Sequence, residues 1–245
     1  MQARARPFGA RYAFVVVGVI FFALLVGAGL RAAPGVLLQP LEREFGWTRS
    51  QTSLSAAIGI FLYGMVGPFA AALMQRFGIR RVLVIALLLM AASTGLSAFM
   101  TEHWQLVASW GVASGLASGC VTVVLGATIV NRWFETRRGL IMGLLTASTA
   151  TGSLIFIPAL AMLAQSGGFR PVVLCVAASA LAVVPFALWL LPERPADIGL
   201  LPYGATQPPP ALATAHHPFR AALASLARAL QKRDFWLLFA TFFIC

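Results

Sequence analysis

The chain has 245 residues, 60% of them hydrophobic and only 10% charged, with a formal net charge of +11. Ordinary soluble domains carry about 25% charged residues, and one core could not hide this much apolar surface, so the surrounding medium must be lipid. The excess of 18 basic over seven acidic residues usually suggests a nucleic-acid partner, but here no polar surface exists on which to build such an interface.

In chain order, Arg4, Arg6 and Arg11 precede an uncharged run at 13–30. Further runs without Asp, Glu, Lys or Arg follow at 50–75, 82–101, 104–131, 139–169 and 171–192. Each can cross a hydrocarbon core about 30 Å thick, which takes roughly 20 helical residues. Unsatisfied backbone is too costly in lipid, so these runs must be helices or closed barrel strands. None alternates as barrel strands do, so the reading is an all-α membrane protein with six spans. The first run is too long for a signal-peptide core, and no small-residue cleavage site follows it.

The basic residues are distributed unevenly. With the N-terminus inside, 14 of the 18 fall on that side: Arg4, Arg6, Arg11, Arg76, Arg80, Arg81, Arg132, Arg137, Arg138, Arg194, Arg220, Arg228, Lys232 and Arg233. Only Arg31, Arg43, Arg49 and Arg170 fall outside, so the positive-inside rule predicts a cytoplasmic N-terminus. Short connections join the spans, except for a longer segment at 39–49 between the first two. Residues 1–12 are read as a cytoplasmic tail, 13–192 as the six-helix bundle and 193–233 as a cytoplasmic loop. Within that loop, Pro195, Pro202, Pro208, Pro209 and Pro210 break any continuing helix. Phe219, Leu223, Leu226 and Leu230 then recur at helical spacing among basic residues, as in an amphipathic interfacial helix; a solvated connector fits as well. Residues 234–245 begin a seventh apolar run too short to span, which predicts that a second bundle follows.

Two turns carry an internal repeat. Gln75, Gly78, Arg80 and Val82 recur ninety residues later as Gln165, Gly168, Arg170 and Val172, relating the first three helices to the next three. One turn faces inward and the other outward, as an inverted 3+3 repeat requires.

Six helices in this 3+3 arrangement, followed by a long loop and a new helix, resemble the N-terminal half of a major facilitator superfamily transporter. The loop at 71–81 carries Arg76, Gly78, Arg80 and Arg81 of the family pattern, with Ala71 in place of its glycine and Gln75 in place of its aspartate. In the family that aspartate latches the loop, and Gln75 keeps a hydrogen bond without the charge. Arg132, Trp133, Phe134, Glu135, Arg137, Arg138, Gly139 and Gly143 resemble the entry to helix 5 of monocarboxylate and oxalate/formate-type carriers, and 41–50 resembles their helix 1–2 connection. The resemblance implies a secondary active transporter of a small organic anion such as a monocarboxylate, by proton coupling or exchange. It also implies a multi-pass place in a plasma membrane, bacterial inner membrane included, with lipid, substrate and a C-terminal bundle as partners. An efflux carrier for another small molecule and a non-transporting sensor or assembly subunit are the alternatives.

Charge at membrane depth is expensive and marks a site. Arg31 follows the first uncharged run, and Pro34-Gly35 could kink a longer helix reaching Pro40, which would turn Arg31 toward a central cavity and a carboxylate. Alternatively Arg31 ends the helix and its guanidinium snorkels to lipid phosphate. Tyr63, Thr122, Thr146 and Thr149 are further substrate-contact candidates, although helical hydroxyls commonly bond to their own backbone. Gly111, Gly115, Gly119 and Gly143 are read as close helix-packing positions. Glu135 either pairs with Arg76, Arg80 or Arg81 as a gate beside Arg137 and Arg138, or these charges serve topology alone. The uncharged runs contain no acid to relay a proton. Cys120, Cys175, Cys245, His103, His216 and His217 have no metal-ligand spacing, and no catalytic constellation, phosphate-binding loop or cofactor motif is present.

Overall fold

A computed structural model describes residues 7–205, 207 and 218–244. Arg4, Arg6, Pro208, Pro209, Pro210, His216, His217 and Cys245, which entered the sequence reading, lie outside the described residues. The elements are α1 (Pro7–Phe45), α2 (Arg49–Phe77), α3 (Ile79–Ser97), α4 (His103–Leu106), a π-helical segment (Val107–Ala113), α5 (Ser114–Cys120), α6 (Val123–Trp133), α7 (Arg138–Gly167), α8 (Phe169–Leu190), a 3-10 turn (Pro195–Ile198), α9 (Pro218–Leu230) and α10 (Arg233–Ile244). Six stretches are long and apolar enough to cross a membrane, and the segments from α4 to α6 together form the fourth of them, His103–Trp133.

The chain reverses direction with very little linker. Gly78 alone separates α2 from α3, at φ +91°, and Gly168 alone separates α7 from α8, at φ +73°. Both amides bond back to the preceding helix, to the carbonyls of Met74 and Ala164, at 3.1 Å each. These are the two glycines of the ninety-residue repeat, so the repeated sequence encodes a repeated turn; a positive φ selects glycine because it has no Cβ.

The expected long connection at 39–49 is not a loop. Helix α1 carries on through Pro34 and Pro40 to Phe45, leaving only Gly46, Trp47 and Thr48 before α2. Thr48 caps α2 reciprocally with Gln51, and Gly46 turns the chain at φ +66°. Packing along α7 and α8 supports the long helix past its two prolines. Helix α1 is the most buried span, while α2 and α7 are the least covered. Around α1, α3 packs on α8, and α2 packs on the π-helical segment and α5.

The two ends of the bundle differ in chemistry. At the end opposite the chain's start, Phe45 stacks on Trp47 at 4.4 Å and meets Phe169 edge-on, while Trp47 meets His103 at 5.5 Å. Glu44 reaches Arg170 across the same end at 3.9 Å. At the arginine-rich end, residues 191–205 are not a free linker. Tyr203 lies in a parallel bridge beside Phe134, donating to the Trp133 carbonyl at 2.7 Å and accepting from the Glu135 amide at 2.9 Å. Its ring packs against Phe14 and Phe134, and Tyr12 donates its hydroxyl to the Leu190 carbonyl at 3.2 Å. Helix α9 contacts α2, with Leu223 and Leu230 left exposed.

Candidate functional site

Arg31 sits in the interior of a continuous helix, between Arg11 and Phe45 of the first span. Its guanidinium lies over the Tyr63 ring of α2, 5.1 Å from the centroid, and its buried Nη1 has no hydrogen-bond partner among the described residues. Both side chains line a cavity of about 460 Å³ between α1, α2 and the fourth span, which Trp110, Ser114, Gly115 and Ser118 complete. An unpaired guanidinium at this depth is costly unless an anion arrives to satisfy its planar fork of donors. Gly27 lies one turn before, where a Cβ would make ordinary contact with Arg31 Nη1 at 3.5 Å.

The fourth span is not the single helix that its uninterrupted apolar run predicts. A π-helical stretch at Val107–Ala113 swings Trp110 inward, where its indole N–H donates to Ser97 Oγ on α3 at 2.9 Å. The helix then breaks between Cys120 and Val123, with Val121 at φ −103°, ψ 65°. Thr122 caps the restart, accepting from the Val124 amide at 3.2 Å. β-Branched residues at 121–124 lose rotamer freedom in a helix, and a threonine N-cap offers a ready alternative. Gly111, Gly115 and Gly119 bring this span against the backbone of α2: Cβ atoms there would lie 3.2 Å from the Ser55 carbonyl, 2.9 Å from the Gly59 carbonyl and 2.7 Å from Val66 Cβ. Gly143, by contrast, has nothing within 4 Å of its Cβ position among the described residues.

Of the other substrate-contact candidates, Tyr63 joins Arg31, whereas Thr122, Thr146 and Thr149 do not line this cavity. On α7, Thr146 is exposed and Thr149 half-buried, and they donate to the carbonyls of Met142 and Thr146. Trp110, Ser114 and Ser118 are lining residues that the sequence reading passed over; the seryl hydroxyls donate to the Trp110 and Gly115 carbonyls. The extension of α1 also takes a carboxylate into helix: Glu42 lies in its last turn, and its buried Oε1 has no hydrogen-bond partner among the described residues.

At the arginine-rich end the acidic partner is not the expected one. Glu135 is exposed and forms no ion pair among the described residues, so the pairing of Glu135 with Arg76, Arg80 or Arg81 is not found. Glu193 occupies that place instead. Its carboxylate accepts from the Ile79 and Arg80 amides at 2.7 and 3.0 Å, capping α3, and lies 4.0 Å from Arg132 Nη1. The capped N-terminus gains both from the satisfied N–H groups and from a negative charge at the positive end of the helix. A Cβ at Gly78 would also meet the Glu193 carboxyl carbon at 2.7 Å, so the capping carboxylate would have to shift. Gln75, Arg76, Arg80 and Arg81 are exposed; Arg76 lies over the Phe77 ring at 5.3 Å. Arg137 precedes α7 at φ 58°, and Arg138 Nε donates to the Phe134 carbonyl at 2.7 Å. No cluster of His, Cys, Asp and Glu among the described residues could hold a metal ion.

A six-span α-helical bundle with an inverted pair of single-glycine turns and a helix-interior cation on a cavity defines a polytopic membrane protein of the transporter type. Residues 19–245 match the Major Facilitator Superfamily, and the chain belongs to that family. Human Monocarboxylate transporter 11 is 27% identical over 236 residues, 96% of this chain and 46% of that protein. Mouse Monocarboxylate transporter 9 is 27% identical over 201 residues, 80% of this chain and 38% of that one. The chain thus spans less than half the length of these relatives. Among solved structures, the inward open xylose transporter XylE from E. coli superposes with a TM-score of 0.67 at 16% identity, covering 90% of this chain and 56% of that one. XylE bound to 6-bromo-6-deoxy-D-glucose, a proton:xylose symporter, gives the same TM-score at 18% identity.

Proposed function

We propose that this chain forms one wall of a secondary active transporter for a small organic anion, such as a monocarboxylate, moved by proton coupling or exchange. The observation that carries the reading is Arg31: a guanidinium in the interior of a span, facing a cavity, with a buried nitrogen that has no hydrogen-bond partner among the described residues. A carboxylate arriving there would supply the missing acceptors, and the charge-assisted bonds formed would be roughly twice as strong as neutral ones. The monocarboxylate transporters among the relatives support the same anion class. Residues 13–192 form the bundle, and 193–233 and 234–245 lead toward the second bundle that a carrier cavity needs as its other wall. The arginine excess at one end supports a cytoplasmic N-terminus in a plasma membrane, the bacterial inner membrane included.

Uptake of labelled pyruvate into cells expressing the two-bundle carrier, as wild type, Arg31→Lys and Arg31→Gln, tests the assignment. Gln removes the charge and Lys removes the fork, so KM is expected to rise about 10- to 100-fold for Gln and less for Lys. Unchanged KM and Vmax in Arg31→Gln would remove Arg31 from the mechanism.

A further inference from the structure

The wall around Arg31 has a polarity along the membrane normal that constrains the rest of the substrate. From Arg31, α1 climbs through Pro34 and Gly35 to Leu38, while antiparallel α2 faces it from Tyr63 through Ile60 to Ala56. Seven residues at 1.5 Å per residue make this ladder about 10 Å tall. All its rungs above the guanidinium are apolar. Ser53 lies at the far end, and the Ser114 and Ser118 protons are already donated to backbone carbonyls. The lining contains one cation and no acid; Glu42 sits one helical turn beyond Leu38 and is not part of it.

We propose, building on the anion reading above, that the preferred substrate is a monocarboxylate with an extended apolar body of about five to nine carbons, branched or aromatic, rather than a three-carbon acid, a dicarboxylate or an amino acid. With its carboxylate on Arg31, the body of such an acid lies along the Pro34–Leu38 and Ala56–Ile60 ladder. Pyruvate reaches only about 4 Å beyond its carboxylate and leaves most of the ladder in water. On this wall a second carboxylate would rest on Leu38 and Ile60 without a cation, and an ammonium group would find no acid among the described lining residues; a charge placed on this wall without a partner is costly. Each methylene moved from water to an apolar surface gains about fourfold in affinity. Three extra carbons on a one-sided wall therefore predict about a tenfold preference.

The test uses the purified protein in detergent, titrated with pyruvate, 4-methyl-2-oxopentanoate, phenylpyruvate, leucine and succinate while ligand-induced thermal stabilisation is followed. The expected result is half-saturation by 4-methyl-2-oxopentanoate and phenylpyruvate at least tenfold below that of pyruvate, with no effect of succinate or leucine. Ile60 is 73% exposed, so Ile60→Asn leaves the packed interior intact, and it is expected to shrink that ratio to below threefold. If pyruvate or succinate binds as tightly as the larger acids, and Arg31→Gln abolishes binding, the apolar-body proposal is overturned while the anion reading stands. If no carboxylate stabilises the protein and Arg31→Gln matches wild type, both fall together.

Discussion

Replacing Glu193 by alanine removes two hydrogen bonds that the first amides of α3 make at 2.7 and 3.0 Å to a charged acceptor. A bond to a charged group contributes about 1.5–3 kcal/mol, and loss of an N-cap acceptor costs about 0.5–2 kcal/mol. The Glu193 side chain is one-third exposed, so the lower end of the first range applies. Its contact with Arg132, at 4.0 Å, adds at most a few tenths of a kcal/mol. The sum is about 2 kcal/mol for opening of the first turn of α3, which corresponds to about a 30-fold faster exchange of the Ile79 and Arg80 amides. Hydrogen–deuterium exchange of the protein in lipid nanodiscs reads this directly, peptide by peptide. Glu193→Gln keeps one acceptor and should fall midway, whereas Glu135→Gln, at an exposed unpaired residue, should match wild type. If Ile79 and Arg80 in Glu193→Ala exchange within twofold of wild type, the cap contributes nothing. If Glu135→Gln gives the larger change, the acidic partner has been misassigned.

Three further outcomes follow from the same geometry. Gly119→Ala places a Cβ 2.7 Å from Val66 Cβ and 3.1 Å from the Tyr63 carbonyl and should cost about 1–3 kcal/mol in thermal unfolding. Gly143→Ala meets nothing and should be neutral or stabilising by up to about 1 kcal/mol. Trp110→Phe leaves the ring packing but removes the donor to Ser97 Oγ at a buried site, an expected loss of about 1–3 kcal/mol in the same assay. For transport, Arg31→Gln should raise the KM for a carboxylate far more than Tyr63→Phe, which keeps the ring beneath the guanidinium.

Some features of this protein were determined by the order of its residues alone. The six spans are legible because a charge-free run of about 20 residues has no stable place except across lipid, and that penalty is local to each run. Gly78 and Gly168 were legible as a repeated turn because a single residue between antiparallel helices needs a positive φ. Other features depend on which surfaces meet. Arg31 could end one helix or sit inside a longer one, and the folded α1, packed along α7 and α8, continues past Pro34 and Pro40. The same extension turned an apparent loop into helix and placed Glu42 in its last turn. Glu193 caps amides more than a hundred residues away, and nothing in its local pattern distinguishes it from Glu135, which is nearer in sequence and lies idle. The break in the fourth span is equally silent to hydropathy, since Val121 and Thr122 are as apolar as a continuous helix requires. Desolvation acts on each residue where it stands and can be read along the chain. Pairing, capping and the rotation of a helix about its axis are settled between elements, and those are the terms that place Arg31 on the cavity.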